Sequence, residues 1–247
     1  MILSQMIFPT EIEPSKQLLY YRGNAVCHEG FIIPAESAVS FDTYFNGFFY
    51  GSYIAHTEVS EIIFHLETTG SARLFWMCAD QSGQERVLEQ KNVSGENVDT
   101  VFSPCVLEHL PPNGVLFLRI ETDDQALRIH RGWIDTVIRT PKKIHLAAVI
   151  CTFKREDYVS RNLKILQREI LDNNNCPVKD DIDVFVVDNA QTIHLESHQH
   201  IHLFPNKNYG GSGGFTRGLV EAYRRRDTYT HVLFMDDDIS FESESLL

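Results

Sequence analysis

Cysteine is scarce in this chain. Its five cysteines (Cys27, Cys78, Cys105, Cys151 and Cys176) are odd in number, widely spaced, and nowhere form a C-x-x-C pair. That pattern fits reduced, mostly buried thiols in the cytoplasm better than a disulfide framework or a zinc site. Positive charge is also in deficit: 22 Lys and Arg stand against 34 Asp and Glu, a formal net charge of −12. General nucleic-acid binding needs a basic face, so no nucleic-acid partner is expected. Any anionic ligand must be met by local cations, helix ends or a metal ion. No basic-then-apolar signal segment is present, and no apolar run approaches membrane-spanning length. A cytoplasmic protein is expected, with peripheral contact at the inner face of the membrane and homo-oligomerisation both left open. Two nucleotide signatures are missing as well: no Gly-Lys-Ser/Thr of a P-loop, and no dinucleotide fingerprint directly after a strand.

What the chain does have is an ordinary globular composition, 43% hydrophobic and 23% charged over 247 residues, enough for one large domain or two ordinary ones. Its character changes near Thr140-Pro141-Lys142-Lys143. Before that point, β-type runs such as "EIIFHLET", "ARLFWMCA", "GVLFLRIE" and "LRIHRGWIDTVI" recur. Turn signals at Thr69-Gly70, Ser82-Gly83, Ser94-Gly95 and Pro111-Pro112-Asn113-Gly114 punctuate them. Short strands with turn chemistry and little helical periodicity predict an antiparallel β-sandwich, jelly-roll-like, over residues 1–142. The aromatic run Phe41, Tyr44, Phe45, Phe48, Phe49, Tyr50 and Tyr53 is expected to serve core and inter-domain packing rather than sugar stacking.

Residues 143–247 alternate instead. "HLAAVICTF", "DVFVVDN", "HIHLF" and "HVLFMDDD" read as strands apolar on both faces. "DYVSRNLKILQREILD" carries Val159, Leu163, Leu166 and Ile170 at helical spacing. A second helix, starting near Phe215, is expected to present Phe215, Leu219 and Ala222/Tyr223 on one face. This is the pattern of a parallel sheet covered on both sides, an α/β Rossmann-like domain. Ligands of such sheets sit beyond the carboxyl ends of the strands. Those ends carry Thr152-Phe153-Lys154-Arg155, Asp188-Asn189 and Asp236-Asp237-Asp238. Adjacent carboxylates repel one another unless a cation compensates, and their hard oxygens suit Mg²⁺ or Mn²⁺. Between them, "NKNYGGSGGFTRG" supplies Gly210, Gly211, Gly213 and Gly214 ahead of a helix, a plausible diphosphate cradle.

Together "AAVICTFKRED", "VFVVDNA", "NKNYGGSGGFTRG" and "VLFMDDDI" resemble the inverting GT-A glycosyltransferases, and among them the bacterial galactofuranosyltransferases that polymerise galactofuranose from UDP-galactofuranose. The resemblance covers roughly residues 144–247, and "DTYFNGF" with "RGWIDT" extends it to the N-terminal β-sandwich of that family. It implies a UDP-sugar donor, a glycan or lipid-linked glycan acceptor, and Mn²⁺ or Mg²⁺ held by Asp236 and Asp238, with Asp237 between them. It implies that Asp188 accepts a hydrogen bond from uracil, that Arg155 contacts the nucleotide, and that Thr152, Asn208 and the four glycines line the donor. The first loop reads Lys-Arg-Glu-Asp where the family pattern is Asn-Arg-Pro-Asp, which keeps Arg155 in register.

Leu247 stands nine residues after Asp238. The resemblance places the catalytic base, a further metal-ligating histidine and most of the acceptor groove beyond Leu247. The expectation is a truncated chain, inactive in transfer by itself. Two rival classes are a sugar-nucleotide nucleotidyltransferase, which "CTFKRED" does not suit, and a non-catalytic carbohydrate-binding or scaffolding protein. His194, His198, His200 and His202 alternate without a carboxylate at ligand spacing, so a surface or core role is expected for them.

Overall fold

A computed structural model describes residues 1–9, 12, 14–28, 30–137 and 143–246, Glu244 by its backbone alone. The chain divides into two compact units, Met1–Thr140 and Pro141–Leu247. Of the boundary stretch singled out in the sequence, residues 140–142 lie outside the described residues.

The first unit holds β1 (Ile2–Gln5), β2 (Arg22–Gly23), β3 (Phe31–Ile33), β4 (Ala38–Ser40), α1 (Gly51–His56), β5 (Glu61–Ala79), β6 (Glu85–Val101), β7 (Cys105–Val106), β8 (Val115–Glu121) and β9 (Leu127–Asp135). All its strand pairings are antiparallel, in the order β1-β9-β5-β8-β4-β2, with β6 and β7 also on β5 and β3 on β9. The organiser is β5. Its even-numbered residues Ile62, Phe64, Leu66, Thr68, Ala72, Leu74 and Trp76 are all buried, because alternate residues of a strand share a face. Its first half pairs β9 and its second half pairs β8, while β6 covers the other edge.

Two turn signals are corrected here. Thr69-Gly70 and Ser94-Gly95 lie inside β5 and β6, where Gly70 pairs with Gly95 across a register shift. Both glycines have positive φ (121° and 137°), and a Cβ on Gly70 would stand 2.2 Å from the Ala126 carbonyl. Glycine in this strand marks a kink and a close backbone approach, not a reversal. The reversal is at Ser82-Gly83, where Asp80 accepts N–H groups from Ser82 (2.8 Å) and Gln84 (2.9 Å) and Gly83 takes φ 82°. Of the aromatic run, Phe41, Phe48 and Tyr50 are core, whereas Tyr44 and Phe49 are exposed. The short helix α1 had no counterpart in the sequence reading.

The second unit holds β10 (Leu146–Thr152), α2 (Glu156–Leu166), β11 (Ile182–Asp188), β12 (Ile201–Pro205), α3 (Gly210–Arg224) and β13 (His231–Asp236). Its four strands are parallel, in the order β12-β11-β10-β13. Ala148, Ile150, Val184 and Val186 pack with Val159, Leu163, Leu166 and Ile170, the last in a π turn that prolongs α2. On the other face, Ala147, Val149, Phe185 and Val187 pack with Ala222 and the half-buried Phe215. Helices on both faces explain why β11 is buried at every position.

The buried face of α3 differs from the expected one. Leu219 and Tyr223 are exposed, and Gly214, Gly218, Glu221 and Ala222 face inward. A Cβ on Gly214 would lie 2.0 Å from Cys151 Sγ, and one on Gly218 would lie 2.2 Å from Val149 Cγ1. The helix sits so close to β10 that glycine, not leucine, is the contact residue.

Candidate functional site

In the second unit the chain runs outward from β10 through β11 to β12, then crosses back to place β13 on the opposite side of β10. Ligand crevices of open parallel sheets form where the strand order reverses, at the carboxyl ends. Here that point lies between β10 and β13, with Cys151 paired to Asp236 and Thr152 paired to Asp188. The sequence-predicted residues Thr152, Asp188 and Asp236 therefore do end neighbouring strands at one rim.

Asp188 is 1% exposed, and its carboxylate is committed to its own loop. Oδ1 accepts the Ala190 N–H at 2.9 Å, and Oδ2 accepts those of Thr192 at 2.6 Å and Ile193 at 2.8 Å. An ionised carboxylate offers about four lone-pair sites, which leaves one for a ligand donor. The first job of Asp188 in this chain is to hold the loop after β11, whose far side is tied to α2 by a Thr192 hydroxyl donating to Glu156.

Next to it, Asn189 links three elements. Its Nδ2 donates to the Gly210 carbonyl (3.1 Å) and reaches Cys151 Sγ (3.5 Å), while its Oδ1 accepts from Asn206 Nδ2 (2.8 Å). This amide chain fixes the start of α3 relative to the ends of β10, β11 and β12. Neither Asn189 nor Asn206 was assigned a role from the sequence. The signal available was two short amides flanking the candidate loop, residue types that bond to backbone readily.

The predicted glycine loop is itself helical, which corrects its placement: α3 begins at Gly210, five residues before Phe215. Asn208 Oδ1 accepts the Gly210 N–H at 3.0 Å, and Gly210 has φ 73°. The glycines divide by task. Gly214 packs on Cys151 and Gly213 on Tyr209, whereas Gly210 and Gly211 have no atom within 4 Å of an added Cβ. Glycine in a helix costs about 1 kcal/mol relative to alanine. At Gly211 no contact with another described residue accounts for that cost.

Across the switch point, Arg155 follows Lys154, which has a left-handed φ of 54°. Arg155 Nη1 donates to Asp237 Oδ1 at 3.2 Å and also to Asp238 Oδ2. Both bonds raise the guanidinium pKa further, that to Asp238 most. Asp237 is buried, and the exposed Asp236 and Asp238 flank it. Among the described residues no hydrogen bond or ion pair is made to the Asp236 carboxylate, although its backbone belongs to the β10–β13 ladder. The turn backbone is pinned from α2: Asn162, fully buried, donates to the Asp237 carbonyl at 3.0 Å, and Arg161 donates to that of Ile239 at 2.6 Å. Burial raises the Cys151 thiol pKa, and the charges of Asp237 and Asp236 raise it further. Thr152 Oγ1, 2% exposed as a residue, has no hydrogen-bond partner among the described residues.

No group of three or more His, Cys, Asp or Glu among the described residues is placed to hold a metal ion unaided. The donor chemistry still fits a hard divalent cation, since Mg²⁺ is usually held by one or two carboxylates together with substrate phosphates. Asp236 and Asp238 are the two exposed carboxylates at this rim, the number such a site uses.

Three of the four alternating histidines, His198, His200 and His202, do find carboxylates from elsewhere in the fold. Asp183, at the opposite end of β11, accepts hydrogen bonds from His200 Nδ1 at 2.8 Å and the Tyr229 hydroxyl at 2.7 Å, while His145 Nε2 at 3.3 Å and His202 Nε2 at 3.9 Å stand near it as ion-pair neighbours. His198 pairs with Asp172 at 3.1 Å. All five cysteines are free. No helix among the described residues is long and apolar enough to cross a membrane.

A family profile described as "Galactofuranosyltransferase 2 N-terminal" matches residues 3–136. Among curated proteins, galactofuranosyltransferase GlfT2 of Mycobacterium tuberculosis is 29% identical over all of this chain and 41% of its own length. The GlfT2 of Mycolicibacterium smegmatis is 27% identical over all of this chain and 40% of its length. The chain thus spans about two fifths of the curated relatives it matches. Solved structures align weakly: a family 22 carbohydrate-binding module of Clostridium thermocellum Xyn10B gives a TM-score of 0.32 at 12% identity over 56% of this chain and 96% of its own.

Proposed function

Because the chain belongs to the galactofuranosyltransferase 2 N-terminal family, we propose that it serves glycosyl transfer from a UDP-sugar, with UDP-galactofuranose as donor, to a growing glycan or lipid-linked glycan. The transfer proceeds with inversion, and the second unit is the donor-binding part of a GT-A domain. The relatives align across that unit as well as the first, which supports extending the reading to it.

The observation that carries the proposal is the convergence at the switch point. The first turn of α3 opens with glycines whose Cβ side meets nothing, and the N–H groups after the one capped by Asn208, with the helix dipole, favour a diphosphate. Asp236 and Asp238 would hold a divalent cation, Mn²⁺ or Mg²⁺, which when bound neutralises charge on the leaving diphosphate, worth several kcal/mol. Arg155 supplies a further positive group beside them. Asp188 orders the loop on the other flank and keeps one acceptor site for the base.

Calorimetric titration of UDP into the chain tests the reading. Binding is expected with Mn²⁺ present and is expected to vanish after chelation or in the Asp236→Asn/Asp238→Asn double variant. Equal affinity after chelation would remove the metal from the proposal. No UDP binding under either condition would remove the donor site.

A further inference from the structure

Arg155 occupies the position that the charge argument assigns to a metal. Three adjacent aspartates need a compensating cation, and a side chain of the same protein provides one. Its guanidinium bridges Asp237 and Asp238, while Asp236 is left without an ion pair among the described residues. The two halves of this contact differ in rigidity. The backbone of the turn is fixed through Asn162 and Arg161, but the Asp238 carboxylate is held by Arg155 alone among the described residues. Arg155 and Asp238 are about half exposed as side chains, 49% and 47%. Exposed ion pairs of this kind are weak and easily exchanged.

We propose that Arg155 is a displaceable internal counter-cation: a divalent ion entering between Asp236 and Asp238 must first expel the guanidinium from Asp238. This rests on the reading of Asp236 and Asp238 as metal ligands and adds the regulation of that site. A cation binding without nucleotide loses affinity to the competition. One arriving with a diphosphate does not, because the freed guanidinium, anchored at the start of α2 beside the switch point, has a new anion to pair with. Metal and donor therefore load together, and the site stays electrically closed when neither is present.

Mn²⁺ binding to the chain, with no nucleotide, is measured from the loss of the free-ion electron paramagnetic resonance signal. Wild type is compared with Arg155→Gln and with Lys154→Gln, which removes a neighbouring positive charge that makes no contact with the aspartates. Circular dichroism establishes that each variant is folded, and Arg155→Lys, which keeps the charge without the bridge, serves should Arg155→Gln fail. Arg155→Gln is expected to bind Mn²⁺ roughly fivefold tighter, the scale of one exposed ion pair, and Lys154→Gln to stay within about twofold of wild type. Equal or weaker binding by Arg155→Gln overturns the proposal while leaving the metal site standing. An equal gain from both substitutions overturns it too, by reducing the effect to net charge. Absence of Mn²⁺ binding in every variant overturns the metal site and the proposal together.

Discussion

Asp188 accepts three backbone N–H groups inside the second unit, so its replacement tests structure before it tests ligand contact. Asp188→Ala leaves those part-buried donors without their acceptor, and each such group costs up to about 1–3 kcal/mol. With relaxation of the loop, a net loss of roughly 2–4 kcal/mol in urea unfolding is expected, together with weaker binding of both uridine and UDP. Unchanged stability would mean that water replaces the carboxylate and that the loop does not depend on it. Two glycines one turn apart make a second contrast. Gly214→Ala drives a Cβ to 2.0 Å from Cys151 Sγ and should lower the melting temperature. Gly211→Ala meets nothing and should gain about 0.5–1 kcal/mol in helix stability. If the diphosphate approaches the backbone there, the same substitution weakens UDP. A stabilised Gly211→Ala protein that binds UDP normally would show that the glycine serves no ligand.

Whether an element can be read from sequence depends on what fixes it. The strands β10 and β11 were legible because a sheet covered on both faces demands uninterrupted apolar runs, β13 from its own apolar run although this edge strand leaves Phe234 half exposed, and α2 because Val159, Leu163, Leu166 and Ile170 keep helical spacing. The start of α3 was not legible. Local propensity places Gly210, Gly211 and Gly213 in a loop, and only the close approach of helix to β10 makes Gly214 and Gly218 the buried face. β5 misled for a related reason: a glycine kink held open by the Ala126 carbonyl looks like a turn until the partner strand is known. The rim of Thr152, Asp188 and Asp236 was legible from strand ends, whereas the Arg155 bridge depends on a strand order that a sequence does not state.

The histidines show how an edge element couples to pH. His202 on β12 has a lowered pKa, chiefly through burial, with Arg225 and His200 adding to the effect and Asp183 opposing it. Burial raises the Asp183 carboxyl pKa, but bonds from Tyr229 and His200 outweigh it and the net direction is down. Both groups bind protons less readily folded than unfolded. Their contribution to stability is therefore complete above the ordinary histidine value of 6.5. It is lost first as pH falls through the folded value of His202, and again, below the ordinary carboxyl value of 3.8, through that of Asp183. Urea midpoints of the second unit should drop between about pH 7.5 and 5, and His202→Gln should flatten that part of the curve. A midpoint constant over this range would show that the other partners of Asp183 absorb the protons without cost.

The two units carry separate cores: the large cluster around Phe64, Leu74 and Trp76 draws only on the first, and the clusters on either face of the parallel sheet draw only on the second. A defect in one core should then leave the chemistry of the other intact. Leu66 on β5 is fully buried in the first cluster. Leu66→Ala removes buried methyl groups and opens a cavity, a loss of about 2–5 kcal/mol. The stability of the first unit should fall by that amount while UDP affinity, measured below the onset of unfolding, stays within about twofold of wild type. Asp188→Ala should do the reverse, lowering the transition of the second unit and UDP binding while the first unit melts where it did. If UDP affinity instead fell with Leu66→Ala as steeply as with Asp188→Ala, the donor site would depend on the first unit, and the carboxyl-end rim would not be sufficient by itself to bind the nucleotide.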